Sequence, residues 1–503
     1  MGGNLRTYTK REALMYLLGM FGQNAIYGII STGLYFYFQN VICLPAMALG
    51  WIFAIARVWD AVNDPMMGTI VDRTNTKWGK CRPFLIFAPP VIGILTIATF
   101  LNGNYATADS HFKQVMIVAW AAVSYIAWGM IYTIGDIPLW GIIARMSESE
   151  DARAKLISWA RIFAAIGSVL ATFGIEMVSQ SVNSSMGLDP NAQKGFIVVS
   201  VIATVVSTIL FELAGVGTKE RVVAKNEEKK GFIASLKIMW SCKPFRRILI
   251  SGVIRSPMQL FMTVIMTLLT YYYCNGDLNN AFSTPHILAA IGLLILGFGL
   301  GEFGSMAIVP MLMKKWDVKT IYNATGVLAL PIGALYIVYK VAPTGMLNLG
   351  WVAICAVMLL FTGASIGIVN VCQSFMITDC IDYEEYHTGY RPDGVFFSGQ
   401  SFITKLASGI SSLISAAVYA AVGYSDVNID NMNKALADGA NFAQDYGSYA
   451  DAMWILITIP VAIGFILAVI PTWKYEITPE HREEITAALK EKHDALASAE
   501  AAE

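Results

Sequence analysis

Charge is what this chain has least of. Asp, Glu, Lys and Arg make up 14% of its 503 residues, against about 25% in soluble domains. Hydrophobic residues make up 56% and the mean hydropathy is +0.55. A deficit of that size, with long apolar runs recurring along the chain, excludes an ordinary soluble domain and points to a polytopic membrane protein. Other absences narrow the function. The seven cysteines are odd in number and lack a Cys-x-x-Cys spacing, which argues against a disulfide framework or a zinc site. Cys355, Cys372 and Cys380 lie in or beside apolar runs and read as small packing residues. His111, His286, His387, His481 and His493 are scattered, without the His-x-x-Glu-His type of spacing that a metal-dependent enzyme would show. There is no Gly-Lys-Ser/Thr loop to hold ATP phosphates and no basic face interleaved with aromatics for nucleic acid. The first apolar run lacks a small-residue cleavage pattern, so it is expected to stay as a span. The net charge of -1 is uninformative in total; its distribution is not.

Twelve apolar segments stand out, near 12–38, 46–71, 84–102, 114–141, 157–180, 195–216, 247–273, 286–313, 320–341, 348–378, 395–424 and 450–472. Each nears or exceeds the ~20 residues that cross a bilayer as helix. Basic residues gather in alternate loops: Arg6, Lys10 and Arg11 at the start; Arg73, Lys77, Lys80 and Arg82; Arg145, Arg153 and Lys155; a central run from Lys219 to Arg247; and Lys314, Lys315 and Lys319. The other loops offer only Lys113, Lys194, Lys340 and Lys434. That bias places both termini in the cytoplasm of a cell-membrane protein. The central loop divides six spans from six. The expected organisation is therefore a six-span half at 1–216, a cytoplasmic loop at 217–245, a second half at 246–473 and a cytoplasmic tail at 474–503. The charged, Ala-rich tail reads as a solvated end, with a short amphipathic helix as the alternative.

Against this apolar background the second span carries Arg57-x-Trp59-Asp60-x-x-Asn63-Asp64-Pro65. Helical spacing puts Arg57, Asp60, Asn63 and Asp64 on one face. Asp60 lies about 18 Å from the end marked by Asp72, near the middle of a ~30 Å hydrocarbon core. A charge at that depth costs roughly 2.5–3.5 kcal/mol on insertion scales. An Arg57–Asp60 salt bridge would account for one acid but leaves Asp64 unexplained, so the pair reads as a cation site. The fourth span ends Tyr132-Thr133-Ile-Gly-Asp136-Ile-Pro138-Leu-Trp140. A carboxylate there can accept hydroxyl hydrogen bonds, and an indole face can stack on a sugar ring. A helix-end Asp beside an interfacial Trp is the alternative. Arg161 in the fifth span, and Gln400, Ser401 and Lys405 in the eleventh, are also polar at depth. Lys405 needs a counter-ion, for which Asp60, Asp64 and Asp136 are candidates.

Two loops carry matching charges. Gly68-x-x-x-Asp72-Arg73, followed by Lys77-Trp78-Gly79-Lys80-x-Arg82-Pro83, lies between spans two and three. Asp379, Asp382, Tyr383, Glu385, Tyr386 and Arg391 lie between spans ten and eleven. Salt bridges that close the cytoplasmic side would draw on Arg57, Asp72, Arg73, Arg145, Asp379, Asp382, Glu385 and Arg391. A solvated loop is the equal alternative for the acidic one.

The first loop resembles the signature of the major facilitator superfamily. The whole set, with Asp136-Ile-Pro138-x-Trp140 and Asp382-Tyr383-x-Glu385-Tyr386, resembles the glycoside–pentoside–hexuronide cation symporters over nearly the full chain. The resemblance implies an all-α membrane protein of twelve helices in two halves that works as a monomer. It further implies cation-coupled sugar symport by alternating access, with no enzyme activity and no cofactor beyond a coupling ion, Na+ or H+. It implies Asp60, Asn63, Asp64 and Thr133 as cation ligands with Lys405 as positive neighbour. It implies sugar contacts from Asn24, Tyr132, Asp136, Trp140, Arg161, Gln400 and Lys405. The melibiose permease branch carries an acidic residue where this chain has Asn24, a departure that shifts the expectation away from galactosides towards other glycosides, pentosides or hexuronides. A non-transporting sugar sensor, an uncoupled facilitator and a membrane enzyme acting on a lipid-linked sugar are the rival readings.

Overall fold

The computed structural model describes the chain apart from residues 1–5, 35–36, 43, 106, 189–191, 223–231, 277–283, 343–347, 424–431, 433–434, 437 and 503. Part of the basic central loop and Lys434 therefore lie outside the described residues, as does the side chain of Arg57. Among the described residues every regular element is helical, apart from an isolated bridge between Thr76 and Gly79.

Among the described residues each of the twelve expected segments is helical, in one to three pieces. The first runs Lys10–Gly28 and continues as a wider turn at Ile29–Gly33. The next five are Ala46–Arg73, Arg82–Phe100, His111–Gly141, Glu150–Ser185 and Gln193–Gly217. The seventh is broken into Lys243–Ile254 and Met258–Leu268 around Pro257. The eighth is Pro285–Leu312, and the ninth is Val318–Leu328 with Leu330–Val341. Leu349–Thr388, Asp393–Ala421 and Gly447–Leu467 complete the set. Nine of the described helical segments are long and apolar enough to cross a membrane. The second and eleventh fall short because polar residues dilute them, and the seventh because it is interrupted. The tail forms a helix, Pro479–Ala502.

Contacts divide the chain into two compact units. One holds 1–242 with 377–402 and 479–503; the other holds 243–376 with 403–478. In the first, the Lys10–Gly28 helix packs against Glu150–Ser185 and Gln193–Gly217, and Ala46–Arg73 packs against His111–Gly141. The second is drawn together around Gly447–Leu467, which packs against Met258–Leu268 and Leu330–Val341. In that unit Gly297, Gly301, Gly363 and Gly367 line up between the Pro285–Leu312 and Leu349–Thr388 helices, where any Cβ would strike the facing backbone. Lipid offers no hydrophobic drive between helices, so such close van der Waals approach is what holds them.

Two expectations are corrected here. The tail is not a solvated end: Ile485 and Leu489 are buried, and Arg482 bonds Asp379 at 2.9 Å. The acidic loop is not solvated either, since Arg391 and Asp393 are both 0% exposed.

Candidate functional site

The second helix brings its polar face against the fourth. Asp64 is 0% exposed. Its Oδ1 accepts from the Thr133 hydroxyl at 3.1 Å, and its Oδ2 accepts from the Ser401 hydroxyl at 2.9 Å. Asn63 is buried and its Nδ2 donates to the Met130 carbonyl at 3.3 Å. Asp60, one turn earlier, is half-buried beside Gly129, where a Cβ would lie 3.7 Å from Asp60 Oδ1. Thus the four residues expected to form a cation site lie on one helix face and its immediate neighbour. Ser401 is an addition that sequence reading did not assign to the ion.

One turn further along the fourth helix stands a second polar group. Asp136 Oδ1 accepts from Gln23 Nε2 at 2.8 Å, and the same amide contacts the Tyr132 hydroxyl. Asn24 turns back, donating to the Met20 carbonyl at 2.9 Å and to Gln23 Oε1 at 2.5 Å. The residue from the first span that meets Asp136 is therefore Gln23, with Asn24 holding it. Its signal was present: Tyr16, Met20, Gln23 and Tyr27 recur at helical spacing. Tyr16 donates to the Leu139 carbonyl at 2.9 Å, and the Tyr27 ring lies 5.8 Å from that of Tyr132. Tyr132 also stacks on Trp128 at 4.6 Å. Arg161 stands over the Trp140 ring at 4.0 Å. One indole face is thus covered by a guanidinium. Gln400 lies in the same unit, whereas Lys405 lies in the second.

The loop charges form a closed network inside the first unit. Asp72 accepts from the Gly394 and Val395 amides at 2.7 and 3.0 Å, at the N-terminus of the Asp393–Ala421 helix. Exposed amides and the helix dipole favour an anion there. Gly68 makes the approach possible, because a Cβ on it would stand 2.5 Å from the Gly394 carbonyl oxygen. Asp393 pairs with Arg145 at 2.6 Å and with Arg391 at 3.0 Å. Arg391 also meets Asp382 at 2.8 Å, Glu385 at 2.5 Å and the Ala144 carbonyl at 3.0 Å. Arg153 bonds Asp382 at 2.5 Å. Glu220 accepts from the Lys80, Cys81 and Arg82 amides at 3.1, 2.8 and 3.2 Å.

Of the expected gate residues, Asp72, Arg145, Asp379, Asp382, Glu385 and Arg391 are in this network. Arg73 is exposed and makes none of these contacts. Asp393, Arg153, Glu220 and Arg482 were missed. Burial alone would lift the Asp393 carboxyl, but Arg145, Arg391 and Lys80 outweigh it and hold it below the usual carboxylate range. Burial, then Arg145, push the Lys80 ammonium down. Burial opposes the Arg391 charge, yet Asp393, Glu385 and Asp382 raise it well above its ordinary value.

In the second unit Arg255 does not snorkel as a cation near a basic loop would be expected to. It is 3% exposed, donates to the Tyr322 hydroxyl at 2.5 Å and lies 4.4 Å over that ring.

The model of the MFS/sugar transport protein family matches residues 15–479. An isoprimeverose transporter of Lactiplantibacillus pentosus is 24% identical over 494 residues, covering 96% of this chain and 91% of that one. A putative glycoside/cation symporter of Escherichia coli, YagG, is 25% identical over 420 residues, covering 83% and 84%. Among solved structures, the E. coli fucose:proton symporter FucP aligns with a TM-score of 0.59 at 15% identity, covering 93% of this chain and 98% of that one; at that identity it speaks to fold. The match across both units, with the second-span and loop motifs in place, settles the family: this chain belongs to the MFS/sugar transport proteins, in their glycoside–pentoside–hexuronide group, and is a multi-pass membrane transporter rather than an enzyme.

Proposed function

We propose that the chain accumulates a glycoside, pentoside or hexuronide by symport with one monovalent cation, Na+ or H+, through alternating access. The carrying observation is the buried Asp64 carboxylate among the Thr133 and Ser401 hydroxyls, one turn from Asp60. A Na+ needs several oxygens at once, and this cluster supplies two carboxylates, two hydroxyls and the Asn63 amide. A proton needs only a carboxylate, and the same site serves it.

Coupling follows from the fourth helix. Thr133 faces the cation cluster and Asp136 faces Gln23, about 4.5 Å further along the axis. A cation that fixes Thr133 steadies Asp136, Tyr132 and Gln23, where sugar hydroxyls bind; by linkage the sugar tightens the cation equally. Asn24 positions Gln23, while Trp140, Arg161 and Gln400 complete the sugar contacts. Asp72, Arg145, Asp379, Asp382, Glu385 and Arg391 belong to a gate that must break when the halves rock. Both termini are cytoplasmic, in the cell membrane, and one chain suffices. One cation descending 100 mV supplies about 2.3 kcal/mol, enough for roughly fifty-fold accumulation.

The test is uptake of radiolabelled sugars by vesicles carrying the protein, driven by imposed Na+ or pH gradients. Gradient-driven accumulation lost in Asp60→Asn and Asp64→Asn is the expected result. Equilibration indifferent to every gradient would make the protein an uncoupled facilitator. Binding without uptake would make it a sensor.

A further inference from the structure

In the second unit a groove of about 710 Å³ opens between the ninth-span helices and the end of the twelfth. Lys319, Thr320 and Asn323 line one end, with Trp473 beside them. Val327 and Ile466, both exposed, line the rest. The mechanism above makes no use of it.

Its two ends differ in chemistry. Lys319 opens the ninth span and Trp473 follows the twelfth, so both mark the same membrane face. That face carries Lys314, Lys315 and Lys319 within six residues, with Asp317 as the one acid among them. Lys314, Lys315 and Trp473 are exposed. Among the described residues no carboxylate lines the groove. Asn323 Oδ1 is engaged by the Thr472 hydroxyl at 2.5 Å, so the amide offers its N–H groups as donors. The Asn323 N–H groups and the Thr320 hydroxyl as donors, a cation at the rim and an indole at the interface select an anion. The apolar trough leading away from them along the span selects an alkyl chain. Gly326 deepens the trough, since a Cβ there would come within 2.6 Å of Val469 Cγ2.

We infer that this groove seats an anionic phospholipid of the adjacent leaflet. Its phosphate lies against Lys319, Thr320 and Asn323, and one acyl chain lies along Val327 and Ile466. Basic pockets between spanning helices are the usual receptors for such headgroups, and a headgroup joined to a chain fits both ends of this groove at once.

Native mass spectrometry of the full-length chain, exchanged into micelles containing dioleoylphosphatidylglycerol or dioleoylphosphatidylcholine, tests this. Wild type should retain phosphatidylglycerol in preference to phosphatidylcholine. Replacing the three lysines (Lys314→Gln, Lys315→Gln, Lys319→Gln) should weaken phosphatidylglycerol retention on the order of 100-fold. Val327→Trp, at an exposed site that does not threaten folding, should block it with the lysines intact. Equal retention of both lipids, or undiminished phosphatidylglycerol on the lysine-substituted chain, would overturn the proposal. So would displacement of the lipid by millimolar inorganic phosphate together with indifference to Val327→Trp, which would mark a free-anion site.

Discussion

At the turn before the eleventh span, one guanidinium, Arg391, meets three carboxylates, and two of those meet a second guanidinium, Asp393 that of Arg145 and Asp382 that of Arg153. At the middle of the second span, the equally buried Asp64 meets hydroxyls. The residue types are similar and the burial is the same, yet the neighbours are chosen differently. Full-charge partners at hydrogen-bond distance fix a geometry and leave no role for a visiting ion. Hydroxyl oxygens beside a carboxylate are themselves ligands that a cation bound to that carboxylate can use. The first arrangement suits a latch and the second a binding site.

Arg391→Ala probes the latch most severely, because it takes a buried charged partner from Asp382, Glu385 and Asp393 at once. Loss of one partner from such a pair costs about 3–5 kcal/mol, to be read as a large fall in the thermal unfolding midpoint. If the midpoint holds, the loop charges are solvated after all and the contrast with Asp64 fails. Gly394→Ala asks a steric question of the same region, since its Cβ would meet the Gly68 backbone. Overpacking of this kind costs about 1–3 kcal/mol, and the loss should appear as faster hydrogen exchange at residues 391–396. Unchanged exchange there would show that the close approach is dispensable.

The mildest perturbation is acid. Asp393 titrates below its unfolded value of ~3.9, because Arg145, Arg391 and Lys80 outweigh its burial. Its contribution is therefore present above that pH and lost as the pH falls through its depressed folded value. Exchange at residues 391–396 should stay slow from pH 7 to about 4 and quicken only below it. Quickening already near pH 6 would assign the latch to some other group.

The sequence made some of this legible and hid the rest for a physical reason. Twelve apolar runs of spanning length became twelve helical segments because lipid enforces internal hydrogen bonding on any crossing backbone. The charges of Asp60 and Asp64 stood out because two carboxylates one turn apart in an apolar run have no local stabilising reason. The hidden parts all depend on partners distant in sequence. Asp393 is met by Arg145 from the fourth-to-fifth connection, and Glu220 accepts three amides from residues 80–82, pairings that no local pattern in the sequence announces. Arg482 and the tail helix read as solvent-facing because Ala-rich charged helices usually are. Gln23 was overlooked beside Asn24, although the spacing from Tyr16 to Tyr27 favoured it.

The account turns on Asp64 as the ion's ligand and on that ion's hold over the sugar. Isothermal calorimetry of purified wild type and Asp64→Asn, with the best ligand from a panel of glycosides, pentosides and hexuronates, at low and high Na+ and at two pH values, tests it directly. Wild type should bind sugar some 5–150-fold more tightly when its coupling cation is present, and Asp64→Asn should bind sugar with no response to either cation. A variant that keeps the full cation-dependent gain would contradict the assignment.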